Sequence, residues 1–148
     1  MPKSSEALSV ALFSEILAID QLARASVARV LPKGMELSHF SVLNHLAHAG
    51  GERSPAQLAK TFHLTRGAMT NTLHKLEWAG WVHVRPDWDD ARRKMVSISL
   101  SGQSARDAAL AAIAPVIADV VDSVGEDKMR TVLPVLREMR VKLLDRLG

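Results

Sequence analysis

Between Thr65 and Lys75 the chain sets a guanidinium (Arg66), a hydroxyl (Thr70), a carboxamide (Asn71), an imidazole (His74) and an ammonium (Lys75) at helical spacing. These groups give and take the hydrogen bonds offered by base edges and phosphates. A second cluster, Asp90-Ala91-Arg92-Arg93-Lys94, places three cations just after a carboxylate. The plain alternatives are a solvated helix surface for the first cluster and a charged hairpin that blunts a sheet edge for the second. Catalytic patterns are lacking. There is no cysteine, no Gly-rich phosphate loop, no GxSxG turn and no His-Glu-x-x-His helix, and the serines fall where helices need caps. No enzyme, cofactor or metal is expected.

The charge distribution agrees with a polyanion partner. The 148 residues carry a net charge of +3. Residues 1–52 balance at −1, residues 53–100 at +4 and residues 101–148 at zero, so the whole excess sits in the middle third. A hydrophobic content of 47% is enough for a core. No run of about 18 apolar residues is free of charge, so no membrane span is expected. Met1-Pro2-Lys3-Ser4-Ser5 lacks the shape of a signal peptide, and the absence of cysteine excludes disulfides and thiolate chemistry. A cytoplasmic protein is the expectation.

The elements that must hold these clusters are mostly helical. Ala7 to Leu31 repeats apolar residues at three- and four-residue steps, and Val10, Leu12 and Leu22 widen that stripe beyond what one partner needs. Pro32-Lys33-Gly34 ends this helix. A second helix is expected from an N-cap at Ser38, burying Phe40, Leu43, Leu46 and Ala47, and closing at Gly50-Gly51. Ser54-Pro55-Ala56-Gln57 combines an N-cap serine, a first-turn proline and a capping-box Gln. It opens a short helix that buries Leu58, Ala59 and Phe62. After a tight link at His63-Leu64, Thr65 caps a helix to about Ala79. There Met69, Leu73 and Leu76 face inward, Gly67, Asn71 and His74 face away, and Thr70 and Lys75 flank them.

Beyond Gly80 the period falls to two. Trp81 to Val84 and Lys94 to Leu100 read as a hairpin, with Val96, Ile98 and Leu100 on one face and Ser97 and Ser99 on the other. Ser101 is expected to cap a long helix to about Ser123, followed by a last helix from Glu126 to Leu147. Pro115 and Pro134 are expected to kink or break these two helices. A short capped helix, a tight turn, a second helix and a hairpin give a mainly α fold with a small β-hairpin wing: a winged helix-turn-helix with six helices.

The run from Gly34 to about Ser104 resembles the MarR family of bacterial transcriptional regulators. Leu58-Ala59-Lys60 with Leu64-Thr65-Arg66-Gly67-Ala68-Met69-Thr70 resembles its helix-turn-helix. Leu73-His74-Lys75-Leu76-Glu77-Trp78-Ala79-Gly80-Trp81-Val82 resembles its join between recognition helix and wing. Asp90-Ala91-Arg92 matches its Asp-x-Arg wing motif. Ser104 departs from the usual Gly after the wing, Trp78 replaces a typically polar residue on an exposed helical face, and Trp88 sits near the wing tip. The resemblance implies a DNA-binding regulator, a repressor on a pseudo-palindromic operator, with Arg92 in the minor groove and Asp90 orienting it. It implies a homodimer built from N- and C-terminal helices (residues 1–34 and 101–148) around DNA-binding lobes of residues 35–100. It also implies a small effector, aromatic or phenolic, bound between dimer region and lobe.

The expected DNA contacts are therefore Thr65, Arg66, Gly67, Thr70, Asn71, His74, Lys75, Asp90, Arg92, Arg93 and Lys94. Leu31, Met35, His39 and Phe40, at the junction of the first two helices, are candidates for the effector pocket, although packing alone would place most of them there. Two other readings stay open. One is a winged-helix dimer that binds a small molecule or a protein without specific DNA binding. The other is a metal sensor using His45 and His48, with His39 nearby.

Overall fold

The computed structural model describes residues 4–148. The reading of Met1-Pro2-Lys3 as no part of a leader lies outside the described residues. Six helices and one hairpin follow in the expected order: α1 (Ser4–Ala28), α2 (Leu37–Ala49), α3 (Pro55–Thr61), α4 (Arg66–Trp78), β1 (Val82–Pro86), β2 (Lys94–Ile98), α5 (Leu100–Val124) and α6 (Glu126–Leu147). The chain forms two compact units that divide between Ala112 and Ile113, inside α5.

In the first unit the core is built by α2, α3, α4 and the hairpin. Leu43, Leu46, Leu58, Met69, Leu76 and Val96 are fully buried. At about 25 cal/mol per Å² of apolar surface, each such side chain favours folding by about 1.5–3 kcal/mol. The strands are antiparallel with Val84 opposite Val96. Arg53 adds a rung on the other side of β2, its N–H donating to the Val96 carbonyl (2.9 Å) and its carbonyl accepting from Val96 N–H (2.8 Å). The stretch before α3 is thereby stitched to the wing.

Several boundaries differ from expectation for local reasons. α1 ends at Ala28 rather than Leu31, because the residue before Pro32 is disfavoured in helical conformation and a turn from Val30 N–H to the Val27 carbonyl takes over. Of its apolar stripe only Val27 is buried; Phe13, Leu17 and Ile19 are exposed. Glu36, not Ser38, is the N-cap of α2, and Glu36 N–H donates to Nδ1 of His39 at 3.1 Å. The inward face of α2 is therefore His39, Val42, Leu43 and Leu46, while Phe40 and Ala47 are only half-buried. Phe62, also expected in the core, is the half-buried C-cap of α3.

The largest correction concerns the start of α5. Leu100 is not on the inner face of β2 but is the first residue of α5, and it is exposed. Ser99 is buried and does the capping expected of Ser101. Its hydroxyl accepts from Gly102 N–H (2.9 Å) and donates to the Gly80 carbonyl (2.7 Å), and its own N–H donates to the Trp81 carbonyl (3.0 Å). Gly102 is required by this junction. A Cβ there would lie 2.0 Å from the Trp81 carbonyl oxygen. The close approach falls at 102, and position 104 needs no glycine.

In the second unit, the end of α5 and all of α6 bury little. No residue of α6 is buried, and Ile117, Val120, Leu133, Val135, Leu136 and Leu144 are exposed. Pro115 and Pro134 lie inside continuous helices rather than breaking them; the interruption falls at Gly125, whose φ of 120° stops α5 and starts α6. No single described helix is long and apolar enough to cross a membrane.

Candidate nucleic-acid interface

Two consecutive caps position α4. Ser54 Oγ accepts from Gln57 N–H (3.2 Å) while Gln57 Oε1 accepts from Ser54 N–H (2.8 Å), the reciprocal box that fixes α3. The turn that follows closes through Leu64 N–H to the Ala59 carbonyl (2.9 Å) and needs His63 in the left-handed region, φ 52°. Thr65 Oγ1 then accepts from Ala68 N–H (3.1 Å) and starts α4. Met69, Leu73 and Leu76 are buried as expected, so Arg66, Gly67, Thr70, Asn71, His74 and Lys75 are left on the exposed side. Gly67 has no atom within 4 Å of where a Cβ would be, which leaves the first turn of α4 open to close approach.

The wing tip is a closed turn. Asp87 N–H donates to the Arg93 carbonyl and Arg93 N–H to the Asp90 carbonyl, both at 2.9 Å. Asp90 Oδ1 accepts from the backbone N–H (3.0 Å) and Nε–H (3.1 Å) of Arg92, whose side chain is otherwise 91% exposed. These hydrogen bonds from Arg92, with the charge of Arg93 adding to them, hold the Asp90 carboxyl below its ordinary range, so it stays ionised and keeps its grip. Arg93 lies 3.9 Å from Asp87, and Lys94 opens β2 exposed.

Arg66, Thr70 and His74 of α4 converge with Arg92, Arg93 and Lys94 of the wing around one cleft of about 330 Å³. Leu73, Val84 and Val96 are its apolar lining, and Ser54, Pro55 and Ala56 line it as well. Thr65, Gly67, Asn71, Lys75 and Asp90 do not line it. Glu77, the only acid on α4, does line it and was not singled out from the sequence. Arg85 was missed too. Its guanidinium pairs with Glu52 Oε1 (2.7 Å), donates to the Pro86 carbonyl (2.7 Å) and lies 4.4 Å over the Trp88 ring. A 33-residue separation hides that pair from any local pattern.

The candidate effector residues lie elsewhere. Met35 and His39 are buried, and Leu31 and Phe40 are half-buried. Burial, the largest effect, and the charge of Lys75 on α4 lower the pKa of His39 from 6.5, with Glu36 and the Gly34 carbonyl acting the other way. The two histidines of the metal-sensor reading each have a partner: His45 meets Phe62 edge to face at 5.6 Å, and His48 Nε2 lies 3.3 Å from Arg106. Among the described residues no group of three or more His, Asp or Glu side chains is placed to hold a metal ion.

Residues 33–93, the span from just before α2 to the wing tip, match the MarR family. The fold is that of the MarR family. A mutant MarR from E. coli, solved in complex with operator DNA, superposes with a TM-score of 0.78 at 20% identity, covering 94% of this chain and 99% of that one. The transcriptional regulator BldR from Sulfolobus solfataricus gives 0.74 at 23% identity over 93% and 99% of the two chains. A MarR-family transcriptional regulator from Rhodococcus sp. RHA1 gives 0.79 at 19% identity over 89% and 94%. No curated protein matches the chain. At these identities the MarR likeness establishes architecture: the helix-turn-helix, the wing and the flanking helices.

Proposed function

We propose that this chain is a DNA-binding transcriptional regulator of the MarR type, and a repressor rather than an enzyme. The observation that carries this reading is the convergence of Arg66, Thr70 and His74 with Arg92, Arg93 and Lys94 on one open face of the first unit. The α4 side chains have the donors and acceptors that read a major groove, and its first turn is open at Gly67. The wing cations reach the adjacent minor groove and phosphates, with Arg92 braced by Asp90. Thr65, Asn71 and Lys75 complete the DNA contacts. The E. coli protein solved on operator DNA is a precedent that supports this reading.

The working form is a homodimer on a pseudo-palindromic operator, in the cytoplasm at the nucleoid. Exposed apolar faces on α1 and α6 support it, because an amphipathic helix that buries little gains its stability by covering that face. Residues 1–34 and 101–148 supply the dimer and residues 35–100 the reading lobe. A small aromatic or phenolic effector, held near Leu31, Met35, His39 and Phe40, releases the repressor by binding better to the arrangement that does not fit DNA.

Selection of duplexes from a random pool tests the whole reading. The expected result is an inverted repeat with half-sites about one helical turn apart and an affinity that falls steeply with salt. Recovery of random sequence with no dependence on salt would reject it.

A further inference from the structure

Trp78 is 93% exposed on a helix whose other apolar residues are almost all covered. Its position is not random. With 3.6 residues per turn, Gly67, Asn71, His74 and Trp78 fall on one line along α4, directly opposite Met69, Leu73 and Leu76. The indole thus extends the polar stripe that faces away from the core, at its far end.

Where the helix enters obliquely by its near end, the far end is carried off the groove floor. From Arg66 to Trp78 the helix rises about 18 Å at about 1.5 Å per residue, more than the roughly 12 Å width of the major groove. A helix that enters by its first turns therefore brings its last turn to the sugar–phosphate wall. The C-terminal end of a helix carries partial negative charge, and Glu77 adds a full one beside it. An indole placed there adds no further negative charge and offers the wall an apolar face and one N–H donor.

We infer that Trp78 is a DNA contact that seats the far end of α4 against the groove wall, its ring on deoxyribose and its Nε1–H on a phosphate. The contact rests on the DNA-binding reading above and adds a residue to it. It is uncharged and independent of base sequence, so it supplies affinity and depth of insertion without altering the salt dependence or the recognised motif.

Its test compares wild type, Trp78→Phe and Trp78→Ala on duplexes that the wild-type protein selects from a random pool. Melting curves and sedimentation first confirm fold and oligomeric state, which a solvent-facing substitution leaves unchanged. Trp78→Ala weakens binding about tenfold and Trp78→Phe about threefold, with parallel salt plots and the same selected motif. The part of the fluorescence that Trp78→Phe removes shifts to the blue when duplex is added. Equal affinities for all three proteins overturn the inference while leaving the DNA-binding reading intact. A changed motif overturns it in favour of a base contact, and dissociation of a dimer overturns it in favour of a contact between copies. Failure of the wild type to select any duplex overturns the underlying reading itself.

Discussion

One oxygen of Asp90 accepts hydrogen bonds from both the main chain and the side chain of Arg92, at 3.0 and 3.1 Å. The guanidinium is thereby aimed before any partner arrives, with a longer hydrogen bond from its Nη2 to Asp90 Oδ2 (3.4 Å), and its side chain stays 91% exposed.

This separates charge from aim in a way that can be measured. Arg92→Ala removes a cation, so the slope of log affinity against log salt becomes shallower by about 1 per protomer. Asp90→Ala keeps the cation and loses the brace; affinity falls several-fold while the slope stays close to that of wild type. Filter binding across a salt series distinguishes them, and identical slopes for Arg92→Ala and wild type would remove Arg92 from the interface.

Gly102 tolerates no side chain. Gly102→Ala places a methyl 2.0 Å from the Trp81 carbonyl oxygen, and since that oxygen is backbone the strands or α5 must shift. The expected loss is at least about 2 kcal/mol in chemical denaturation. Ser104→Gly, at an exposed position of α5, changes stability by less than about 1 kcal/mol through helix propensity alone. A mild effect of Gly102→Ala would mean the junction is looser than described.

His39 makes the fold sensitive to acid. Its folded pKa is lowered, chiefly by burial, so the unfolded chain binds its proton first as pH falls. The stability is complete above the unfolded value of 6.5 and is lost as pH drops through the lowered folded value. His39→Gln keeps an acceptor for the Glu36 N–H and removes the titration. Between about pH 7.5 and about pH 5 the wild type should lose more in Tm than His39→Gln. Parallel declines would assign the acid sensitivity to other groups.

His63 sits at φ 52° in the turn before α4, a conformation that costs a residue with a Cβ about 1–2 kcal/mol. Glycine relieves that cost but loses about 0.5–1 kcal/mol to chain entropy. His63→Gly is therefore expected to leave stability unchanged or raise it by up to about 1.5 kcal/mol. A clear loss in urea titration would show that the imidazole contributes a contact of its own.

What could be read from the sequence was whatever is local. Ser54 through Gln57 carries its capping box within four residues, and the buried triad of α4 follows from helical period, so both appeared where expected. Ser38 is a better N-cap by propensity than Glu36, yet Glu36 caps α2, because His39 at the third position is buried and returns the bond. Ser99 was misplaced because strand alternation runs smoothly on to Leu100; only the nearness of Gly80 and Gly102, both brought there by folding, makes it a cap. The cationic clusters of the candidate interface were plain in the composition of the middle third. The Arg85–Glu52 pair and the place of Glu77 on the cleft were not, since both depend on elements meeting across the fold.

The Ser99 hydroxyl has a mechanical meaning. It is bonded at once to the residue that terminates α4 and to the first turn of α5, while the Ser99 N–H holds the residue between α4 and the wing. A tug on the start of α5 is therefore passed to the end of α4 through the Ser99 hydroxyl and to the root of the hairpin through the Ser99 main chain. Ser99→Ala would sever the first of these links and leave the second in place.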